Sequence, residues 1–233
     1  MISSFDDDIP YRSAAERKAA AEKELVRIVS ENPDFASVRV THTRKLAQSF
    51  WGQAWNRNLD TYQTYDARFD RGRRHLRAGA VVNLQIVGPQ VDAHVWDHRL
   101  YSVSATFAPL EAEKWAYFRQ ESAGELHSLV SLLQGKISDA LLTRIIDPIR
   151  GLFPERRALT YRCSCIDDAD LCEHIAAVLY GIGVCFDETP ELFFALRGVS
   201  LHDWMQTSSE CLLQEVGPPQ AGELETLFDI DLL

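Results

Sequence analysis

Residues 158–183 read ALTYRCSCIDDADLCEHIAAVLYGIG and place Cys163, Cys165, Cys172 and His174 within twelve positions. Three thiolates and one imidazole make a complete tetrahedral donor set for zinc. A closed four-ligand set leaves no position for a reacting water. The expectation is one structural Zn2+ and no metal-centred catalysis, so whatever the chain folds into must bring these four side chains together.

The flanks say how. Leu159, Tyr161, Cys163 and Cys165 alternate with Thr160, Arg162 and Ser164, the period of a strand. Residues two apart in a strand lie about 6.5–7 Å apart. Two sulfurs each about 2.3 Å from one zinc must be closer than that, so a curl is expected at residues 164–166. Downstream, Ile175, Val178, Leu179 and Ile182 follow a helical stripe that Gly181 or Gly183 would end. Helical residues two apart point about 200° away from each other, so Cys172 and His174 converge only if Cys172 precedes the first full turn. Asp170 with Glu173 reads as a competing capping box that would draw Cys172 into the helix. Ligation is worth roughly 10 kcal/mol against about 1 for a cap, which puts the helix start near Glu173. The unit predicted is strand, turn, helix. Cys185 and Cys211 lack such company and read as small buried apolar groups.

The rest of the chain reads as α+β, an antiparallel sheet with helices. Residues 12–31 are rich in Ala, Glu, Lys and Arg and predict a solvated helix whose end docks through Leu25, Ile28 and Val29. A short strand is expected at 37–41. Val82, Leu84 and Ile86, then Val91, Ala93 and Val95, then Tyr101, Val103, Ala105 and Phe107 each alternate with polar neighbours. Breaks at Gly88-Pro89 and Asp97-His98 separate them, which predicts a three-stranded meander. Helices are expected from Pro109 to Glu121, over Leu126–Leu133 before Gly135, and from a cap at Ser138 up to Pro148; two short ones follow, around 190–196 and at 201–206 after Ser200. The segments drawn from this are a helical extension (1–36), an α+β domain (37–150), the zinc unit (151–186) and a helical end with an acidic tail (187–233).

Charge narrows the function classes. The chain carries 24 Lys and Arg against 34 Asp and Glu, a net of −10, which is unfavourable for a general nucleic-acid coat. Residues 37–80 run the other way. They hold Arg39, Arg44, Lys45, Arg57, Arg68, Arg71, Arg73, Arg74 and Arg77 against Asp60, Asp66 and Asp70, a net of +6. Phe50, Trp51, Trp55, Tyr62, Tyr65 and Phe69 are interleaved with these cations, the composition of a surface that stacks on unpaired bases. The candidate nucleic-acid contacts are Arg68, Arg71, Arg73, Arg74, Arg77, Trp51 and Trp55, with the arginines shown by a loop or strand edge. A core role for the two tryptophans and self-neutralisation of the arginines are the competing readings. No phosphate-binding G-x-x-x-x-G-K-[ST] loop, G-x-S-x-G elbow or H-E-x-x-H helix occurs, so a non-enzymatic protein is expected, with no small-molecule substrate. Asp97 and His98 read as polar turn residues. No stretch has the length or apolarity of a signal peptide or membrane span, and the cysteines are expected to stay reduced in the cytoplasm. Leu224, Leu227, Phe228 and Ile230 set among acids in 221–233 are a candidate docking motif for a partner protein.

The spacing Cys-x-Cys-x6-Cys-x-His followed by IAAVLYGIG resembles a SWIM-type zinc finger. FWGQAWNRNLD at 50–60, GRRHLRAGAVVNLQI at 72–86 and PELFFALRG at 190–198 resemble stretches of the bacterial proteins that carry one such finger. The resemblance implies zinc binding, contact with DNA or protein, and partnership with Swi/Snf-type helicases. Glu173 stands where these fingers often have Lys, and Ile166 where they often have Pro. With Asp167, Asp168 and Asp170 the finger is acidic, which moves the expected phosphate contact to the 37–80 segment. The alternative reading is a protein–protein adaptor whose zinc is purely structural and which makes no direct nucleic-acid contact.

Overall fold

In the computed structural model the described residues are 13–31, 33, 37–42, 44–62, 66–123, 125, 129–166 and 171–216. The meander forms as its alternation requires: β1 (Val81–Val87), β2 (Gln90–Trp96) and β3 (Leu100–Phe107) pair antiparallel in sequence order. Gly88, at φ 55°, makes the first turn, a conformation that L side chains resist. In β3, Tyr101, Val103, Ala105 and Phe107 are buried while their neighbours face out. β1 departs from alternation because its first four residues are all buried. A register shift between Val81 and Asn83 accompanies this. The cover on the second face is the end of α1 (Ala14–Glu31), where Ile28 packs on Val82 beside Trp96 and Leu100. The side chains of Leu25 and Val29 lie outside the described set.

The fourth strand comes from the predicted zinc unit. β4 (Leu159–Cys163) pairs antiparallel with β3, Leu159 opposite Phe107 and Cys163 opposite Val103. The sheet therefore runs across the segment line expected at 150/151, and the finger shares its core with the residues before it.

Helices cover the sheet. α2 (Phe50–Asp60) starts at Ser49, whose Oγ accepts from Gly52 N at 3.0 Å. α3 is Asp66–Arg77. α4 (Ala112–Glu121) begins three residues after Pro109, and α5 (Leu129–Leu133) stops before Gly135. α6 (Asp139–Ile146) is capped by Ser138, whose Oγ accepts from Leu141 N at 3.1 Å. A 3-10 turn at Arg156–Ala158 leads into β4. α7 (Glu173–Glu188) is the finger's helix, followed by α8 (Glu191–Leu196) and α9 (Leu201–Val216). α9 runs ten residues past the predicted 201–206.

α7 is the axis of the molecule. Residues 174–183 are all buried, so the predicted one-sided stripe has become a helix packed on all sides. Small residues set how closely α2 and α3 approach it. A Cβ on Gly72 of α3 would fall 2.5 Å from Ala176 Cβ and 2.7 Å from Ala177 N, and one on Gly52 of α2 would fall 2.3 Å from Gly183 O. Asp187, near the end of α7, accepts from Gln48 N and Ser49 N at 2.8 Å each and so fixes the start of α2.

Two expectations change here. Residues 37–41 form no strand; Val38 is buried in the core and its N donates to Val81 O at 3.2 Å, one backbone hydrogen bond that leaves β1 as the sheet edge. The tail at 221–233, Tyr65, Leu126 and Asp167, Asp168 and Asp170 lie outside the described residues.

Candidate metal centre

β4 delivers Cys163 at its last residue, and the chain leaves the strand at once. Ser164 N donates to Ser102 O and Ser164 Oγ accepts from Ser102 N, both at 3.0 Å, which pins the curl to β3. Cys172 is the N-cap of α7 with extended backbone (φ −90°, ψ 169°), and its sulfur accepts from Ile175 N at 3.5 Å. The helix opens at Glu173, so Cys172 stands outside the first turn and converges with His174.

The result is one cluster. Cys163, Cys165, Cys172 and His174 each offer a donor atom, and these atoms lie within 4.8 Å of one another. His174 Nδ1 is 3.8 Å from Cys163 Sγ and 3.9 Å from Cys172 Sγ. Bonds of about 2.3 Å to sulfur and about 2.0 Å to nitrogen in a tetrahedron separate donors by about 3.5–3.8 Å. The donor set and its spacing fit one zinc ion. Within the protein's own field the Cys172 thiol is pushed up to about 12, first by the Cys163 thiol beside it and then by burial. A divalent cation reverses that, because sulfur ligates as thiolate and releases its proton.

His174 is held from outside the cluster as well. Its ring stacks on Tyr101 of β3 at 4.2 Å between centroids and 23° between planes. Glu173 turns toward α3, where Arg71 Nε lies 2.5 Å and His75 Nε2 3.4 Å from its carboxylate. The His75 hydrogen bond holds that carboxyl at about 2, well below the usual carboxylate range. His75, Asp97, Glu173 and His174 form a second group of donor atoms within 4.8 Å of one another. Sequence spacing does not reveal this group, since residues 75 and 97 are far from the finger in the chain. The acid at 173, next to His174 in the chain, was the one available sign.

The candidate nucleic-acid residues separate into three kinds. Trp51 and Trp55 are fully buried, and this corrects their expected role as base-stacking rings. Trp51 Nε1 donates to Leu132 O at 3.1 Å and Trp55 Nε1 to Leu179 O at 2.8 Å, while their faces pack on Phe193, Phe194, Phe107 and Phe186. Arg68, Arg71, Arg73, Arg74 and Arg77 lie on the helix α3 and not on a loop or strand edge, a second correction. Arg71 is committed to Glu173, and Arg73 bridges Asp60 and Asp70 at 2.6 Å each while lying over the Tyr180 ring. Arg68 is half-buried, and Arg74 and Arg77 are exposed. Arg73 and Arg77 join Lys45 and Arg57 around a hollow of about 230 Å³ floored by Tyr180, with Asp60 on its rim. Arg57 also lines a larger groove of about 690 Å³ with Arg156, Arg157, Glu155, Ile149 and Phe153.

Comparison with known proteins agrees with the geometry. Residues 146–181 match the SWIM zinc finger family, so the chain carries a SWIM zinc finger. A Mycobacterium tuberculosis protein (strain ATCC 25618 / H37Rv), described as uncharacterized protein Rv2102, is 29% identical over 175 residues. The match covers 73% of this chain and 63% of that relative. No solved structure matches. Among the described residues, no helix is long and apolar enough to cross a membrane.

Proposed function

We propose that this chain is a non-enzymatic interaction module in which a structural zinc holds the fold and a basic hollow beside the finger meets nucleic acid, in the service of a Swi/Snf-type helicase or recombination complex. The observation that carries the reading is the convergence of Lys45, Arg57, Arg73 and Arg77 on one concave surface floored by Tyr180 of the finger's own helix. In a chain of net charge −10, four cations against the one carboxylate of Asp60, which pairs with Arg73, leave a local excess of positive charge carried by Lys45, Arg57 and Arg77. The acids beside the zinc ligands make the finger tip itself a poor phosphate surface. The zinc unit contributes by fixing α7, on which α3 and Tyr180 depend.

The test separates phosphate contact from fold support. Lys45 and Arg77 of the hollow and Arg74 beside Arg77 on α3 are exposed, lie outside the larger groove, and can be replaced together by alanine without breaking the Arg71 and Arg73 ion pairs. Binding to a DNA duplex and to a single strand, titrated with salt, is expected to weaken steeply with ionic strength and to fall at least tenfold in the triple variant. Unchanged affinity rejects the nucleic-acid reading. A second reading, a protein–protein adaptor, is favoured by the larger groove, where Ile149 is 77% exposed among arginines. It expects co-purification of a helicase with the chain that survives the triple variant.

A further inference from the structure

The zinc cluster uses one nitrogen of His174, and the other poses a question that the four ligands do not answer. Nδ1 faces the sulfurs at 3.8 and 3.9 Å. Nε2 is buried without a hydrogen-bond partner, in a residue only 5% exposed. When Nδ1 ligates a metal, a neutral imidazole carries its proton on Nε2, and a buried N–H left unpaired is costly. The donor groups gathered beside His174 outside the four ligands are the carboxylates of Asp97 and Glu173 and the ring of His75, each with an atom within 4.8 Å of a His174 ring nitrogen.

We propose that Asp97 and Glu173 form a carboxylate outer shell that accepts a hydrogen bond from the His174 Nε2–H when the zinc is bound, with His75 and Arg71 bracing Glu173 from α3. Metal-bound histidines generally donate their second N–H to such a group, which fixes the ring and raises its basicity toward the metal. Here the shell is assembled from three distant pieces of chain: the turn between β2 and β3, the helix α3 and the first residue of α7. Tyr101 stacked on the ring limits the tilt that remains. A carboxylate at 173 suits this place, since a cation beside Nε2–H would repel the donor that a carboxylate accepts.

A second metal ion in the same group is the competing use of these donors. It would require His174 to surrender its Nε2 proton and be shared between two cations, with the Arg71 guanidinium already on Glu173. The outer shell keeps the proton and needs no second charge.

The proposal rests on the zinc assignment, and its test keeps the two apart. Zinc content and zinc affinity, by elemental analysis and competition with a chelator, are measured on the full chain and on three variants: Asp97→Asn, Asp97→Asn with Glu173→Gln, and Arg71→Gln. The expected result is one ion per chain, a 10- to 100-fold loss of affinity in the double variant, and less than a threefold loss in Arg71→Gln. In 15N-labelled zinc-bound protein, the His174 Nε2–H signal is expected to be protected from exchange in the parent and to be lost in the double variant. Should the double variant fail to fold, Asp97→Asn alone, at a turn, is expected to show a partial loss of protection, and unchanged protection there would count against the shell. Two ions per chain, a double variant within threefold of the parent, or an Arg71→Gln loss equal to the double variant's would overturn the outer shell. Absence of zinc from the parent would sink the zinc assignment itself.

Discussion

Cys172 does two jobs with one sulfur: it is a metal donor and it caps α7 by accepting from Ile175 N. Its extended backbone lets Cys172 and His174 face a common point although only one residue separates them. Serine at 172 would preserve the cap but not the soft ligand, which separates the two roles. Cys172→Ser is expected to lose zinc while α7 stays helical; His174→Ala is expected to lose zinc as well. Each should cost more than about 4 kcal/mol, among the large effects that loss of a structural metal produces, read as a lowered denaturation midpoint alongside metal content. Full zinc and an unchanged midpoint would contradict the site. At this scale the ligands were legible in the sequence, because ligand chemistry is a property of residue type and spacing. The group around Nε2 was not legible, since nothing in the local chain links His75 and Asp97 to His174.

Elements were legible wherever one face of an element meets the core and the other meets water. The meander at 81–107, the curl after Cys163, and the Ser138 and Ser200 caps all follow from period or from local hydrogen bonding. Asp203 N, for example, donates to Ser200 Oγ at 3.2 Å. The misplaced elements have a shared cause. Residues 37–41 have strand composition but make one bond to β1, and α3 reads as a charged run because its cations are answered by acids on α2 and α7. Trp51 and Trp55, one turn apart on α2, look identical from composition whether they face solvent or core. The helix crossings carry the sharpest prediction at this scale. Gly→Ala at an exposed helical site gains up to about 1 kcal/mol, but at Gly72 the new methyl would sit 2.5 Å from Ala176 Cβ. Gly72→Ala is therefore expected to destabilise by about 1–3 kcal/mol, and to lower zinc affinity by displacing α7. A stabilised variant would show that α3 and α7 can part without cost.

Across the whole molecule, the core binds the finger to everything else. α7 is surrounded by α2, α3 and the sheet, and the buried hydroxyls around it set a response to pH. Burial pushes the Tyr62 hydroxyl and the Cys185 thiol up to about 12. Burial first and Asp60 second raise Tyr180, whose hydroxyl donates to that carboxylate at 2.6 Å. Each group has a folded value above its unfolded one, so its contribution is intact below the unfolded value. It is lost as pH rises, because the unfolded chain releases protons that the folded one retains. Stability is expected to decline from about pH 9 upward, where free thiols and then free phenols ionise, measured as the denaturant midpoint between pH 7.5 and 10.5. Tyr180→Phe should make that decline shallower. A flat profile would show that these groups are more open to solvent than their burial implies.

Residue order alone determined the four zinc ligands, the place where the helix after them begins, and the alternating strands, because each depends on neighbours within a few positions. Only the tertiary structure decided that β4 closes the meander's sheet, that two tryptophans belong to the core, and that His75 and Asp97 gather behind His174. Those outcomes depend on which surfaces exclude water together, and the free energy of shared burial belongs to the assembled contacts and to no single stretch of chain.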